Sequence, residues 1–101
     1  MTVFAVEYRY ASGTESAASR LDEVRPAHRA WLAEQAEAGT VLASGPYEGG
    51  ASALLIFRAE DRSALDAVLA QDPFAEAGLI ESTEATPWKP IIGRLADAVT
   101  A

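Results

Sequence analysis

Few residues in this chain have the types that carry chemistry. Its 101 residues include a single histidine, His28, and no cysteine. Imidazole is the one side chain whose unperturbed pKa, about 6.5, lies near neutrality. His28 is therefore the first candidate for moving protons on a bound substrate, or else a core histidine satisfied by a backbone carbonyl. Asp72 is the second candidate. A carboxylate that accepts from one imidazole nitrogen fixes the tautomer and leaves the other nitrogen for substrate. An Asp before Pro73 is also what a helix N-cap asks for, and two oxygens permit both roles. Ser44, just before Gly45-Pro46, could donate to a substrate oxygen or simply occupy a turn. Arg25 could anchor an anionic substrate or stand exposed at a helix entry. Phe74, Trp88 and Trp31 could wall a pocket or belong to the core. The Glu81/Glu84 pair reads as a solvated or inter-subunit strand face.

Composition narrows the classes. Eight Lys and Arg stand against 15 Asp and Glu, a formal charge of −7, so no positive field is available for a nucleic-acid backbone. Without cysteine there is no disulfide, no Cys-ligated zinc and no thiol nucleophile, and one histidine excludes sites built on two. No G-x-G-x-x-G, P-loop, H-E-x-x-H or G-x-S-x-G occurs, and no metal or cofactor is expected. The start lacks a basic n-region. The longest clean apolar run, Ala53 to Phe57, is far short of the ~20 residues of a membrane span. A cytoplasmic protein of one domain, residues 1–101, is expected, with neither nucleic acid nor membrane as partner.

The elements that must position these residues follow from periodicity. Residues 2–10 alternate, with Phe4, Val6, Tyr8 and Tyr10 on one face, which is a strand period. Ala11 to Ser19 is small and polar and reads as a loop. A helix is predicted from Asp22 or Arg25, with Pro26 in its first turn, to Gly39. At 100° per residue Val24, Ala27, Trp31, Gln35 and Ala38 share an arc, and His28 lies about 40° from Val24 on the same side. The only histidine therefore faces inward. Residues 40–44 and 51–58 form a hairpin through Gly49-Gly50. Asp61 or Ser63 caps a helix with a Leu65, Val68, Leu69 stripe. Asp72 to Gly78 forms one helical turn, 79–86 is a last, polar strand, and the segment from Ile91 is a short helix or frays.

The order β-α-β-β-α-β is the ferredoxin-like α+β arrangement. Two helices cover one face of such a sheet, yet Ala53-Leu54-Leu55-Ile56-Phe57 is apolar on both. Strands read that way when both faces are covered. Nothing else in the chain is expected to be large enough for that, so a homodimer packed sheet to sheet is predicted.

Together, Arg25-Pro26-Ala27-His28-Arg29-Ala30-Trp31-Leu32, Gly39, Leu42-Ala43-Ser44-Gly45-Pro46 and Asp72-Pro73-Phe74 with Ala77-Gly78 resemble the YCII-related (YciI-like) domain proteins. Trp88-Lys89-Pro90 is similar to that family's ending. The resemblance implies a ferredoxin-like fold of the dimeric α/β-barrel type that pairs through its sheets. It also implies a site centred on a His-Asp pair, here His28 and Asp72 as catalytic residues, with Ser44 near the same pocket. Arg25, Phe74 and Trp88 would contact substrate. One branch of the family looks like dehydrochlorinases of chlorinated hydroxyquinols, and the fold's neighbours include muconolactone isomerase. Cofactor-free lyase or isomerase chemistry on a small ring-derived or anionic compound is thereby implied. The alternatives are a ligand-binding or regulatory dimer without turnover, and a structural subunit of a larger assembly. The connection between Pro46 and Ala51 is shorter than in longer members, so substrate shape does not carry over.

Overall fold

The computed structural model describes residues 1–99. Strand β1 (Thr2–Tyr10) is followed by helix α1 (Glu15–Glu37), the hairpin β2 (Val41–Pro46) and β3 (Ser52–Ala59), helix α2 (Arg62–Leu69), the single turn α3 (Pro73–Glu76) and β4 (Ile80–Pro87). The strands form one antiparallel sheet in the order β2-β3-β1-β4. This is the ferredoxin-like topology expected from the order of elements. Among the described residues, no helix is long and apolar enough to cross a membrane.

β1 lies at the centre of the sheet. Its alternation puts Phe4, Val6, Tyr8 and Tyr10 on the face that the helices cover, where they pack with Leu55, Phe57, Trp31, Leu65 and Phe74. β4 is an edge strand, and its Glu81, Ser82, Thr83 and Glu84 are exposed, as charged and polar edge residues commonly are. In the β2–β3 turn Gly49 and Gly50 have φ of +92° and +73°, a conformation that only glycine reaches without strain.

Helix α1 is longer than its sequence suggests. It starts at Glu15, not at Asp22 or Arg25, and the Thr14 side chain caps it by accepting from the Ala17 N–H at 3.1 Å. The segment that reads as a loop is rich in alanine, which propagates a helix well once a Thr or Ser caps it. Pro26 consequently lies inside the helix, where it removes one backbone bond. The inward stripe runs through Leu21, Val24, His28, Trp31 and Gln35. Ala27 and Ala38, expected on the same arc, are exposed.

The outer face of the sheet is also covered differently than expected. A final 3-10 segment, Arg94–Val99, reaches back so that Ala98 and Leu95 pack on Val3 and Ile56, with Ala5, Leu42 and Leu54 alongside. The chain thus shields part of its own second face. Ile91 and Ile92, on the approach to that segment, remain 76% and 93% exposed.

Candidate active site

The site grows from three elements that meet at one end of the sheet. α1 presents His28 inward. β1 ends there with Tyr8 and Tyr10 on its inner face. α3 begins there, and its N-cap is Asp72. Pro73 occupies the first turn of α3, and the Asp72 carboxylate accepts from the Phe74 N–H at 2.9 Å.

That carboxylate is completely buried and does more than cap. Its Oδ1 also lies 2.8 Å from His28 Nδ1, and its Oδ2 accepts from the Tyr8 hydroxyl at 3.0 Å. Buried polar groups are costly unless paired, and here a phenol, an imidazole and a backbone amide all turn toward one carboxylate. A carboxylate accepts only, so Nδ1 carries the proton of the neutral imidazole and Nε2 carries the lone pair. The ring is fixed from its face as well. Phe74 stacks on it with centroids 4.1 Å apart and planes 20° apart, and Tyr10 meets Phe74 edge-on at 5.3 Å.

Burial drives the Tyr8 phenol far above the usual tyrosine range, with the negative charge of Asp72 and the hydrogen bond to it adding to the shift. Tyr10 is pushed up as well, first by burial and then by the charge of Asp72, while Arg25 pulls the other way. Both phenols remain protonated donors at neutral pH.

His28 borders a cavity of about 340 Å³, within the size range of small-molecule sites. α1 contributes Arg25, His28, Arg29 and Leu32, at the spacing of one helix face. The hairpin contributes Ser44, Gly45, Pro46, Gly50 and Ala53, and Tyr10 and Phe74 close the remainder. With Nδ1 committed to Asp72, Nε2 is the nitrogen left to meet a ligand. The arrangement can accept and return a proton in a cavity that Arg25 and Arg29 also line. Among the described residues no cluster of three or more His, Asp or Glu could hold a metal ion.

The structure therefore brings His28 and Asp72 together and places Ser44, Arg25 and Phe74 on the cavity wall. Trp88 is the correction. Its backbone N–H bonds to Val3 O, at the opposite end of β1 from Tyr10, seven residues or about 23 Å away along a strand. Its side chain is 43% exposed, and it does not border this cavity. The antiparallel pairing of β4 with β1 carries the end of β4 away from the site. Trp31 lies in the core, and among the described residues its buried Nε1 has no hydrogen-bond partner. Tyr8, Tyr10 and Arg29 were not anticipated as site residues. For the tyrosines the signal was present, because two phenols on an inward strand face must find polar partners.

Comparison with known proteins follows the same lines. The YCII-related domain family profile matches residues 3–89. Among solved structures, the chain is similar to the 5-chloro-2-hydroxyhydroquinone dehydrochlorinase of Burkholderia phenoliruptrix AC1100, solved in complex with 2,5-dihydroxybenzoquinone. The identity is 26% and the TM-score 0.72, covering 86% of this chain and 93% of that one. It also aligns with a candidate antibiotic biosynthesis monooxygenase of Bacteriodes thetaiotaomicron VPI-5482, at 19% identity and TM-score 0.46 over 90% of each chain. No curated protein sequence matches.

Proposed function

The chain belongs to the YCII-related domain family, and from that premise we propose that it is a small enzyme in which His28 acts as general acid/base on a small ring-derived substrate. One observation carries the reading: a histidine on the wall of a cavity, held through Nδ1 by a fully buried carboxylate that is itself held by Tyr8 and by a backbone amide. A surface histidine needs no such support, and a core histidine needs only a partner such as a backbone carbonyl. A catalytic base needs more, because its lone pair must stay aimed at the substrate.

The reaction is of the lyase or isomerase type. Nε2 takes a proton from a position next to a carbonyl. In an elimination the freed electron pair forms a double bond and a leaving group such as chloride departs with its own pair. In an isomerisation the imidazolium returns the proton elsewhere on the ring. Asp72 stabilises the imidazolium in either case. Ser44 and Tyr10 donate hydrogen bonds to substrate oxygens, and Arg25 lends positive charge. The likeness to a dehydrochlorinase at 26% identity supports this class, not a particular substrate. General acid–base catalysis contributes roughly 10²–10⁴-fold, so positioning by the cavity must supply the remainder.

We also propose that a second copy of the chain covers the rest of the outer sheet face. The C-terminal segment leaves Leu54 only half-buried and Ile91 and Ile92 exposed.

The test is a panel of halogenated and hydroxylated aromatics and lactones, followed by absorbance and halide release, with wild type and His28→Asn. Turnover by wild type and its loss in the variant are expected. Substrates that bind equally to both proteins and are converted by neither would replace catalysis with ligand binding.

A further inference from the structure

We infer that the cavity selects a ligand bearing a carboxylate or comparably localised anion, and that Arg29 is the residue that makes the selection. The inference rests on the reading of this cavity as the substrate site and names the charge its occupant carries.

Charge and spacing carry the argument. The protein has a formal charge of −7 and 15 acidic side chains, yet among the described residues no acidic one borders the cavity, while two arginines do. The elements that face them place no described acidic side chain on the wall. β2, β3 and their turn contribute Ser44, Gly45, Pro46, Gly50 and Ala53, and the other walls are Tyr10 and Phe74. A cavity lined by one sign of charge focuses counter-ions even on a molecule of the opposite net sign.

The two arginines are not equivalent. Arg25 is paired with Asp22 on the same helix at 2.6 Å, so its charge is partly spent locally. Among the described residues Arg29 has no such pair. The positions three and four residues from it on α1 are Arg25, Pro26, Leu32 and Ala33, none of them acidic and one of them a like charge. Like charges at i,i+4 destabilise a helix slightly, and a solvated surface arginine in so acidic a chain would gain from a nearby Glu. Arg29 instead stands one residue from His28, on the same cavity wall. An anion held by Arg29 would share the cavity with the His28 imidazole, and a fixed cation there would help as negative charge develops on proton removal. Arginine, with its planar fork, suits a carboxylate in particular.

The test separates charge from shape. Hydroxybenzoic acids differing in hydroxyl position, each paired with its carboxamide, are titrated into ¹⁵N-labelled protein and followed at the amides of Gly45, Gly50 and Phe74. Wild type is expected to bind at least one acid roughly tenfold or more tightly than its amide, the order expected of a charge-assisted hydrogen bond. Arg29→Gln is expected to remove that preference without changing amide binding, Arg29→Lys to keep part of it, and Arg25→Gln to keep most of it. His28→Asn is expected to keep it too, so loss of turnover and loss of anion selection are read separately. Equal binding of acids and amides by wild type, an intact preference in Arg29→Gln, or no acid reaching these amides at millimolar concentration would each overturn the inference.

Discussion

Replacing Asp72 by asparagine turns one oxygen into an NH₂ group, and the neighbouring hydrogen bonds decide which one. Oδ1 accepts from the Phe74 backbone N–H and from His28 Nδ1, whereas Oδ2 accepts only from the Tyr8 hydroxyl. A backbone amide cannot become an acceptor, so the carbonyl oxygen stays at Oδ1 and the NH₂ faces Tyr8. The His28 tautomer survives, and Tyr8 must turn its hydroxyl and accept instead. The three bonds become neutral ones, each weaker by about 1 kcal/mol. Relief from burying a charge returns part of that loss, leaving a net destabilisation of about 1–3 kcal/mol. Asp72→Ala strands all three donors around a void and costs about 3–6 kcal/mol, a large share of the ~5–15 kcal/mol that holds a domain together. In a domain of this size 1 kcal/mol moves Tm by about 4–8 °C, so calorimetry resolves the two variants. A double-mutant cycle with Tyr8→Phe isolates the contact. Because both changes touch the same bond, the double variant should be more stable than the sum of the singles predicts, by well over the ~0.5 kcal/mol seen for independent sites. Strict additivity, or Asp72→Asn as damaging as Asp72→Ala, would refute the hydrogen-bond scheme.

Four further outcomes follow from the structure. Tyr8→Phe alone leaves Oδ2 without its donor and should lower stability by about 1–3 kcal/mol in denaturant titration. Because Tyr8 and Tyr10 are raised above the ordinary tyrosine value of 10.0, the folded protein holds more protons than the unfolded chain above that pH. Their contribution to stability should be complete below pH 10 and decline as pH rises beyond it, with their phenolate absorbance appearing together with unfolding and only exposed Tyr47 ionising in the folded protein. Gly39 has φ +84°, and an added Cβ would lie 3.2 Å from Arg58 Nη2; Gly39→Ala should cost about 1–2 kcal/mol, read as a fall in Tm. Sedimentation at micromolar concentration should give a dimer, and Ile92→Glu should weaken it if the exposed isoleucines lie in the interface; a stable wild-type monomer would remove the second copy from the account.

Much of this architecture was legible in the sequence because it rests on local signals. The period-2 alternation of Phe4, Val6, Tyr8 and Tyr10 and the glycines of the hairpin are short-range patterns that tertiary packing had no reason to override. His28 was legible as inward-facing for the same reason. Its partnership with Asp72 was not, since 44 residues separate them and only the docking of α3 against α1 joins them. The family resemblance bridged that gap. The start of α1 misled because Thr14 to Ser19 combines loop-like small polar residues with good helix formers, and Pro26 suggested a first turn where the helix in fact tolerates an interior proline. Trp88 misled because an aromatic side chain that could wall a pocket says nothing about which end of a sheet its strand finishes at. The cover over Val3 and Ile56 was missed because residues 94–99 carry too weak a pattern to reveal where they pack.

The measurement closest to the central claim is the rate at which wild type and His28→Asn convert the best substrate the panel yields, with folding of both proteins verified by circular dichroism. The account predicts chloride release or ring isomerisation by wild type and a rate lower by roughly 10²-fold or more in the folded variant. A folded His28→Asn protein that turns over substrate as fast as wild type would contradict it.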